Sequence, residues 1–206
     1  MAERRGPSGL SSQMERTRSA IVAAARDLAD TGAEITMPKV AAEARVSEAT
    51  AYRYFPDLLA LLRAAVMTED LVAVLRSATR CDDPVERVGQ AAEILARAVL
   101  RRQGAVRAVV ASTIAKPSTA QERPARRFAL IDHALAPWAD RCGPAGRADV
   151  EQLVRGLSLV ISAESLFTLI DLCGLAPDDA VDSLVTTART MTAAAVAAAP
   201  MGPVTG

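Results

Sequence analysis

Thr50, Tyr52 and Tyr54 place three hydroxyl groups within five residues, with Ser47 and Glu48 just ahead of them and Arg53 among them. Read as a helix, the stretch has Ser47 as its N-cap and Glu48 in the first turn, where the helix dipole favours an acid. Ala51 and Phe55 then share one face, and Phe55 reads as core. Hydroxyls and amides at the leading end of such a helix can hold phosphates, which fixes register without reading sequence. Thr50 can also hydrogen-bond to a base edge or touch a thymine methyl. Arg45 and Arg53 bring positive charge to the segment, and Lys39 and Arg16 bring it to the preceding patterns. Two positions have two readings. Glu48 is either a dipole partner, the simpler role, or a reader of cytosine; Tyr52 is either a contact or partly buried structure.

The elements that must position these groups are short. Before Arg45-Val46-Ser47, residues Val40, Ala41 and Ala44 fall at helical spacing, with Thr36 as N-cap and Pro38 in the first turn. Two helices of two to three turns with so brief a connection predict a helix-turn-helix, whose second helix can enter a DNA major groove. An amphipathic helix from Met14 to Asp30 precedes them, carrying Ile21, Ala24, Ala25 and Leu28 and stopping at Thr31-Gly32. Arg4 and Arg5 lie in a tail ahead of it, either touching phosphate or keeping the tail soluble.

Beyond the Pro56-Asp57 break the pattern stays helical. One long helix is predicted from Leu58 to near Cys81, another from Asp83-Pro84 to Gln103, and a shorter one from Val106 to Ala115. A helix over 119–141 should start late because of Pro124 and kink or end early at Pro137. Ala148–Leu172 and Pro177–Ala199 complete about nine helices and no strands, an all-α chain. The expected domains are a flexible tail over 1–12, a three-helix head over 13–57, a helical ligand-binding and dimerisation domain over 58–200, and a tail over 201–206.

Composition excludes more than it assigns. The 206 residues carry no net charge and only 3% aromatics. Residues 1–60 hold eight basic and eight acidic side chains. Binding to nucleic acid must therefore rest on local placement and on pairing two heads, with a moderate salt dependence. Three scattered cysteines indicate neither a zinc site nor a disulfide framework. No stretch reaches the length of a membrane span and the amino terminus lacks a signal core, so a cytoplasmic protein with no membrane partner is expected. GxGxxG, Walker and GxSxG motifs are missing, and a single His133 cannot build a paired Glu-x-x-His centre. No catalytic residue, metal or cofactor is expected.

Ala148–Leu172 has a wider apolar face than one-sided packing requires. Val150, Val154, Leu157 and Ile161 mark one stripe; Leu159, Ala163, Leu166 and Ile170 mark another. Either the helix is central and fully buried, or its second side meets another subunit. Val181, Leu184, Val185 and Ala188 on the final helix favour the second reading, a homodimer suited to two half-sites.

In layout the chain resembles the TetR family of one-component transcriptional regulators. The residues that carry the likeness are the first helix with its Thr31-Gly32 stop, Val40-Ala41 and Ala44, Val46-Ser47, and Thr50-x-Tyr52-x-Tyr54-Phe55 leading into the fourth helix. The resemblance implies a repressor that leaves a palindromic double-stranded operator when a small-molecule effector binds its second domain. It implies DNA contacts at Thr36, Lys39, Arg45, Ser47, Glu48, Thr50, Tyr52, Arg53 and Tyr54. It also implies a pocket between helices, for which Phe128, His133, Trp138, Glu164 and Phe167 are the candidates, and a dimer through the last two helices. Glu164 and Asp171 share a helix face, either as pocket acids for a cationic ligand or as ion-pair partners across the dimer. Three positions depart from the family pattern: Arg45 stands for a customary Gly, Leu58 for a phosphate-reaching Lys, and Pro38 for a basic or polar residue. The alternative from another class is a helical small-molecule-binding or scaffold protein with a vestigial head.

Overall fold

Side chains that bond to nearby backbone decide where the helices break. The structure is a computed structural model, and it describes residues 9–32, 34–115, 126–144 and 146–199. Arg4, Arg5, Pro124 and the tail over 201–206 lie outside them. The described residues form eleven α-helices and no strand. Two of the nine predicted helices are each divided. The segment expected to run from Leu58 to Cys81 stops at Val66 and resumes at Leu71. There the Thr68 hydroxyl bonds back to the Ala65 carbonyl, and Asp70 caps the next helix by accepting from the Ala73 N–H at 3.0 Å. Ala148–Leu172 divides at Ile161-Ser162, where Ser162 accepts from the Ser165 N–H at 3.0 Å and donates to the Leu159 carbonyl at 3.0 Å. Short polar side chains thus compete with the helical ladder inside otherwise apolar runs.

The chain divides into two compact units. The first contains α1 (Gly9–Asp30), α2 (Met37–Glu43), α3 (Glu48–Tyr54), α4 (Leu58–Val66) and α7 (Gln103–Ala115). The expected boundary after residue 57 therefore falls inside this unit, and α1 begins ahead of the expected Met14. The cause is apolar. Leu61 and Ala65 of α4 join Ile21, Ala25, Val40, Ala51 and Phe55 in one core, while Leu62 meets Ala29 and, from α7, Ala105 and Val109. Each fully buried Ile, Leu or Phe contributes about 1.5–3 kcal/mol, so α4 cannot leave the head without losing much of its core.

The second unit holds α5 (Leu71–Ala78), most of α6 (Pro84–Arg101), α8 (Arg126–Cys142), α9 (Arg147–Val160), α10 (Ala163–Asp171) and α11 (Pro177–Ala198). Helix α8 packs on α5 and α9 through Leu130, Ile131, Ala134, Leu135 and Trp138, and α11 packs on α9 and α10. The Arg189–Glu86 and Arg97–Asp178 pairs link α11 to α6. Among the described residues no single helix is long and apolar enough to cross a membrane; α9 and α10 pass by composition only as a pair, and that pair is bent by 43°.

Helix α8 continues through Pro137 to Cys142, so the early end, one of the two expected outcomes, does not occur. Proline has no N–H for the carbonyl four residues back, which is that of His133. The buried Arg87 of α6 supplies the missing donor. Its Nη2 donates to the His133 carbonyl at 2.8 Å and its Nε to the Ala134 carbonyl at 2.8 Å. A buried arginine and an interior proline are complementary here.

Four of the expected interface residues are already buried within one chain. Leu166, Val181, Leu184 and Ala188 are at most 1% exposed and fill the α9–α10–α11 core, so they are corrected to core residues. Ile170 and Val185 are partly exposed. Leu159, at 74%, and Leu172, at 82%, are the large apolar side chains that face outward on this side of the fold.

Candidate nucleic-acid interface

The turn between α2 and α3 is built from its backbone upward. The Arg45 N–H donates to the Ala42 carbonyl at 3.1 Å, and the Val46 N–H to the Ala41 carbonyl at 2.9 Å. This pair of bonds is the Schellman end of a helix, which requires a left-handed residue at its C′ position. Arg45 occupies it with φ of 55°, the one positive φ among described residues other than glycine. A side chain in that conformation costs about 1–2 kcal/mol. Glycine would avoid the strain; arginine instead puts an exposed guanidinium at the head of α3.

Helix α3 starts where expected. The Ser47 hydroxyl accepts from the Thr50 N–H at 3.2 Å and lies 2.9 Å from the Thr50 hydroxyl, so each orients the other. Ala51 and Phe55 are buried against α1 and α2, which turns Tyr52, Arg53, Ser47 and Glu48 to the exposed side. Tyr52 is 49% exposed, which favours its contact reading over buried structure. Tyr54 is only partly exposed and packs against the head core, with the Arg53 guanidinium 5.5 Å from its ring centroid. Thr36 caps α2 by accepting from the Lys39 N–H at 3.4 Å. The Lys39 ammonium is drawn to Glu34, 3.1 Å from its carboxylate. It is a surface pair and worth little, so Lys39 can leave Glu34 for a phosphate at small cost.

Sequence reasoning missed two supports of this surface. Arg18 of α1 lies over the Phe55 ring at 5.2 Å from its centroid. Asp57 caps α4 through the Ala60 N–H at 2.7 Å, so the helix that follows the expected Lys position starts on a carboxylate. The Pro56-Asp57 break, followed by an apolar run, was the signal for that cap. Arg18 and Arg26 also flank a shallow cleft of about 490 Å³ between α1 and α4, floored by Val22, Ala23, Ala64 and Met67. No motif announces it.

In the second unit the pocket candidates are only partly brought together. Trp138 and Phe167 are buried, whereas Phe128 faces outward at 42% exposure beneath the Arg127 guanidinium. Phe128 is therefore corrected from a lining residue to a surface one. Glu164 pairs with Arg127 of its own chain at 3.2 Å. His133 is partly buried, and its pKa is lowered by that burial and by the nearby cations Arg87 and Arg76. The described residues contain no cluster of His, Cys, Asp or Glu placed to hold a metal.

Comparison with known proteins addresses the head. The family model described as bacterial regulatory proteins, tetR family, matches residues 20–65. That span runs from the middle of α1 to the end of α4, and it takes in every cap and turn just described. No curated protein matches the chain at a significant level. The matched segment and the helix-turn-helix geometry agree on one conclusion: residues 20–65 are similar to the DNA-binding segment of bacterial regulatory proteins of the tetR family.

Proposed function

We propose that the protein is a homodimeric repressor whose two heads occupy successive major grooves of a palindromic operator and leave it when a small molecule binds the second unit. The observation that carries the DNA half is the outward row on α3. Exposed Tyr52 and Arg53 and partly exposed Thr50 stand on a helix whose opposite face is locked by Ala51 and Phe55, and Arg45 and Ser47 flank its start. Hydroxyls and guanidiniums on a rigid support suit phosphate and base-edge contacts. With the head electrically balanced, specific contacts and the pairing of two heads carry the affinity.

Leu159 and Leu172 support the dimer. Two large aliphatic side chains, Leu159 in the last turn of α9 and Leu172 just after α10, are more than 70% exposed, and Ile170 is partly exposed, which leaves apolar surface uncovered among the described residues. Buried Trp138 on α8, with His133 five residues before it, and buried Phe167 on α10 support an apolar effector site within the second unit, where few polar groups would set orientation. A ligand needs only different affinities for the DNA-bound and released states to act as an effector.

The test is a gel shift of the full chain against DNA upstream of its own coding region. A specific, salt-sensitive complex is expected, weakened by Thr50→Ala and Tyr52→Phe without loss of thermal stability. A folded dimer that binds no such fragment would overturn the proposal in favour of a helical scaffold with a vestigial head.

A further inference from the structure

Helices α1 and α4 pack through Ile21, Ala25, Leu61 and Ala65, and beside that seam they leave a cleft of about 490 Å³. Both helices belong to the first unit, and no lining residue comes from α3. Small-molecule sites run from about 300 to 1,000 Å³, so the cleft is large enough for one. Its floor is apolar, with Val22 and Ala23 on one side and Ala64 and Met67 on the other. Met67 is a large apolar side chain left 42% exposed there. An unbranched thioether adapts its shape to what lies against it, which suits a flexible aliphatic occupant.

The charge on the lining has one sign. Its ionisable residues are Arg18 and Arg26, which a helix of this pitch sets about 12 Å apart along the axis of α1. They are not equivalent. Arg26 spends Nε and Nη2 on Asp27, at 3.3 and 3.1 Å. Arg18 has no carboxylate partner among the described residues, and its guanidinium rests 5.2 Å from the Phe55 ring centroid. Attraction to the ring face orients that group without consuming its N–H donors. We propose that this cleft binds a linear aliphatic monocarboxylate, with the carboxylate on Arg18 and the chain across Val22, Ala64 and Met67. One guanidinium gives a carboxylate two parallel N–H bonds, and such charge-assisted bonds fix position as well as adding affinity. Each methylene covered by the floor adds affinity that a bare anion lacks. The site is separate from the effector site proposed in the second unit, and it stands whether or not the protein binds DNA.

The experiment is calorimetric titration of octanoate into the full chain, where one saturable site is expected. Arg18→Gln removes the charge-assisted pair and should weaken binding about tenfold or more. Arg18→Lys should recover part of that loss, because it keeps the charge but not the planar fork. Met67→Glu sets a fixed carboxylate on the floor and should also weaken binding about tenfold or more. Both positions are exposed, so thermal melts of the variants should stay close to that of the native chain. Should Arg18→Gln lower the melting temperature through its contact with Phe55, Arg18→Lys and Met67→Glu carry the comparison. Octanol keeps the chain without the charge, and acetate keeps the charge without the chain; each should bind about tenfold more weakly than octanoate, or not at all. No octanoate binding in the millimolar range would overturn the proposal. Binding that survives the substitutions at both positions would also overturn it, because the ligand would then sit elsewhere in the chain. Acetate binding as tightly as octanoate would do the same, since it marks a bare anion site.

Discussion

Replacing Arg87 by Met should destabilise the chain by an amount that depends on a residue 50 positions away. Met keeps most of the apolar stem of Arg87 and removes its donors. The His133 and Ala134 carbonyls then lose partners at 2.8 Å, and the Cys81 carbonyl loses one at 3.3 Å. Leaving a buried acceptor unsatisfied costs about 1–3 kcal/mol, so the two short bonds together represent about 2–6 kcal/mol. Part of that cost exists only because Pro137 has no N–H. Pro137→Ala gives the His133 carbonyl an intrahelical donor, so Arg87→Met in that background should cost about 1–2 kcal/mol less. Urea unfolding of the four proteins measures the difference as a double-mutant cycle. Costs that add to within about 0.5 kcal/mol would refute the idea that Arg87 substitutes for the proline's missing donor. An independent readout is available because His133 is the only histidine. Arg87 is the second cause of its lowered pKa after burial, so Arg87→Met should raise the imidazole pKa, as read by NMR titration.

Three further outcomes are expected. Because the folded chain lowers the pKa of His133 from 6.5, the neutral ring is favoured in the native state. Its contribution to stability is complete above that pH, declines as pH falls below it, and is fully lost below the folded value; His133→Gln should flatten thermal stability between pH 7 and 5. Arg45→Gly should relieve the left-handed strain and, after the added freedom of the unfolded chain, raise stability by about 0.5–1 kcal/mol in urea titrations. The same substitution should weaken DNA binding and lessen its salt dependence; a lower urea midpoint would show that Arg45 is not strained. Leu159→Glu should leave the melting temperature of the 21.6 kDa chain nearly unchanged while producing monomers in sedimentation equilibrium. Leu166→Ala, at a site with no exposure, should instead cost about 2–5 kcal/mol whatever the oligomeric state.

Much of the head was legible because its determinants are local. Ser47 and Thr36 cap with their own side chains, three residues ahead of the amide they serve, and Ala51 and Phe55 repeat at helical spacing. The recognition surface follows from that spacing, since the positions between the buried ones must face out. Breaks at Thr68–Asp70 and at Ser162 were also written in the chain. The apolar periodicity on either side continues across them, and periodicity alone cannot distinguish one long helix from two.

Other outcomes depend on residues far apart in the chain. Leu159 and Leu166 look equivalent in a stripe, yet one is 74% exposed and the other fully buried. The bend between α9 and α10 rotates their faces apart, and α11 covers only one of them. The persistence of α8 through Pro137 required a guanidinium from α6, and α4 joined the head because its apolar face completed a core begun by α1. By itself the sequence determined the helices' caps, the turn and the chemical groups offered to DNA, since those interactions link residues at most five apart. Which apolar faces were left uncovered, and which buried charges found partners, only the tertiary structure decided, because burial depends on every element that packs nearby.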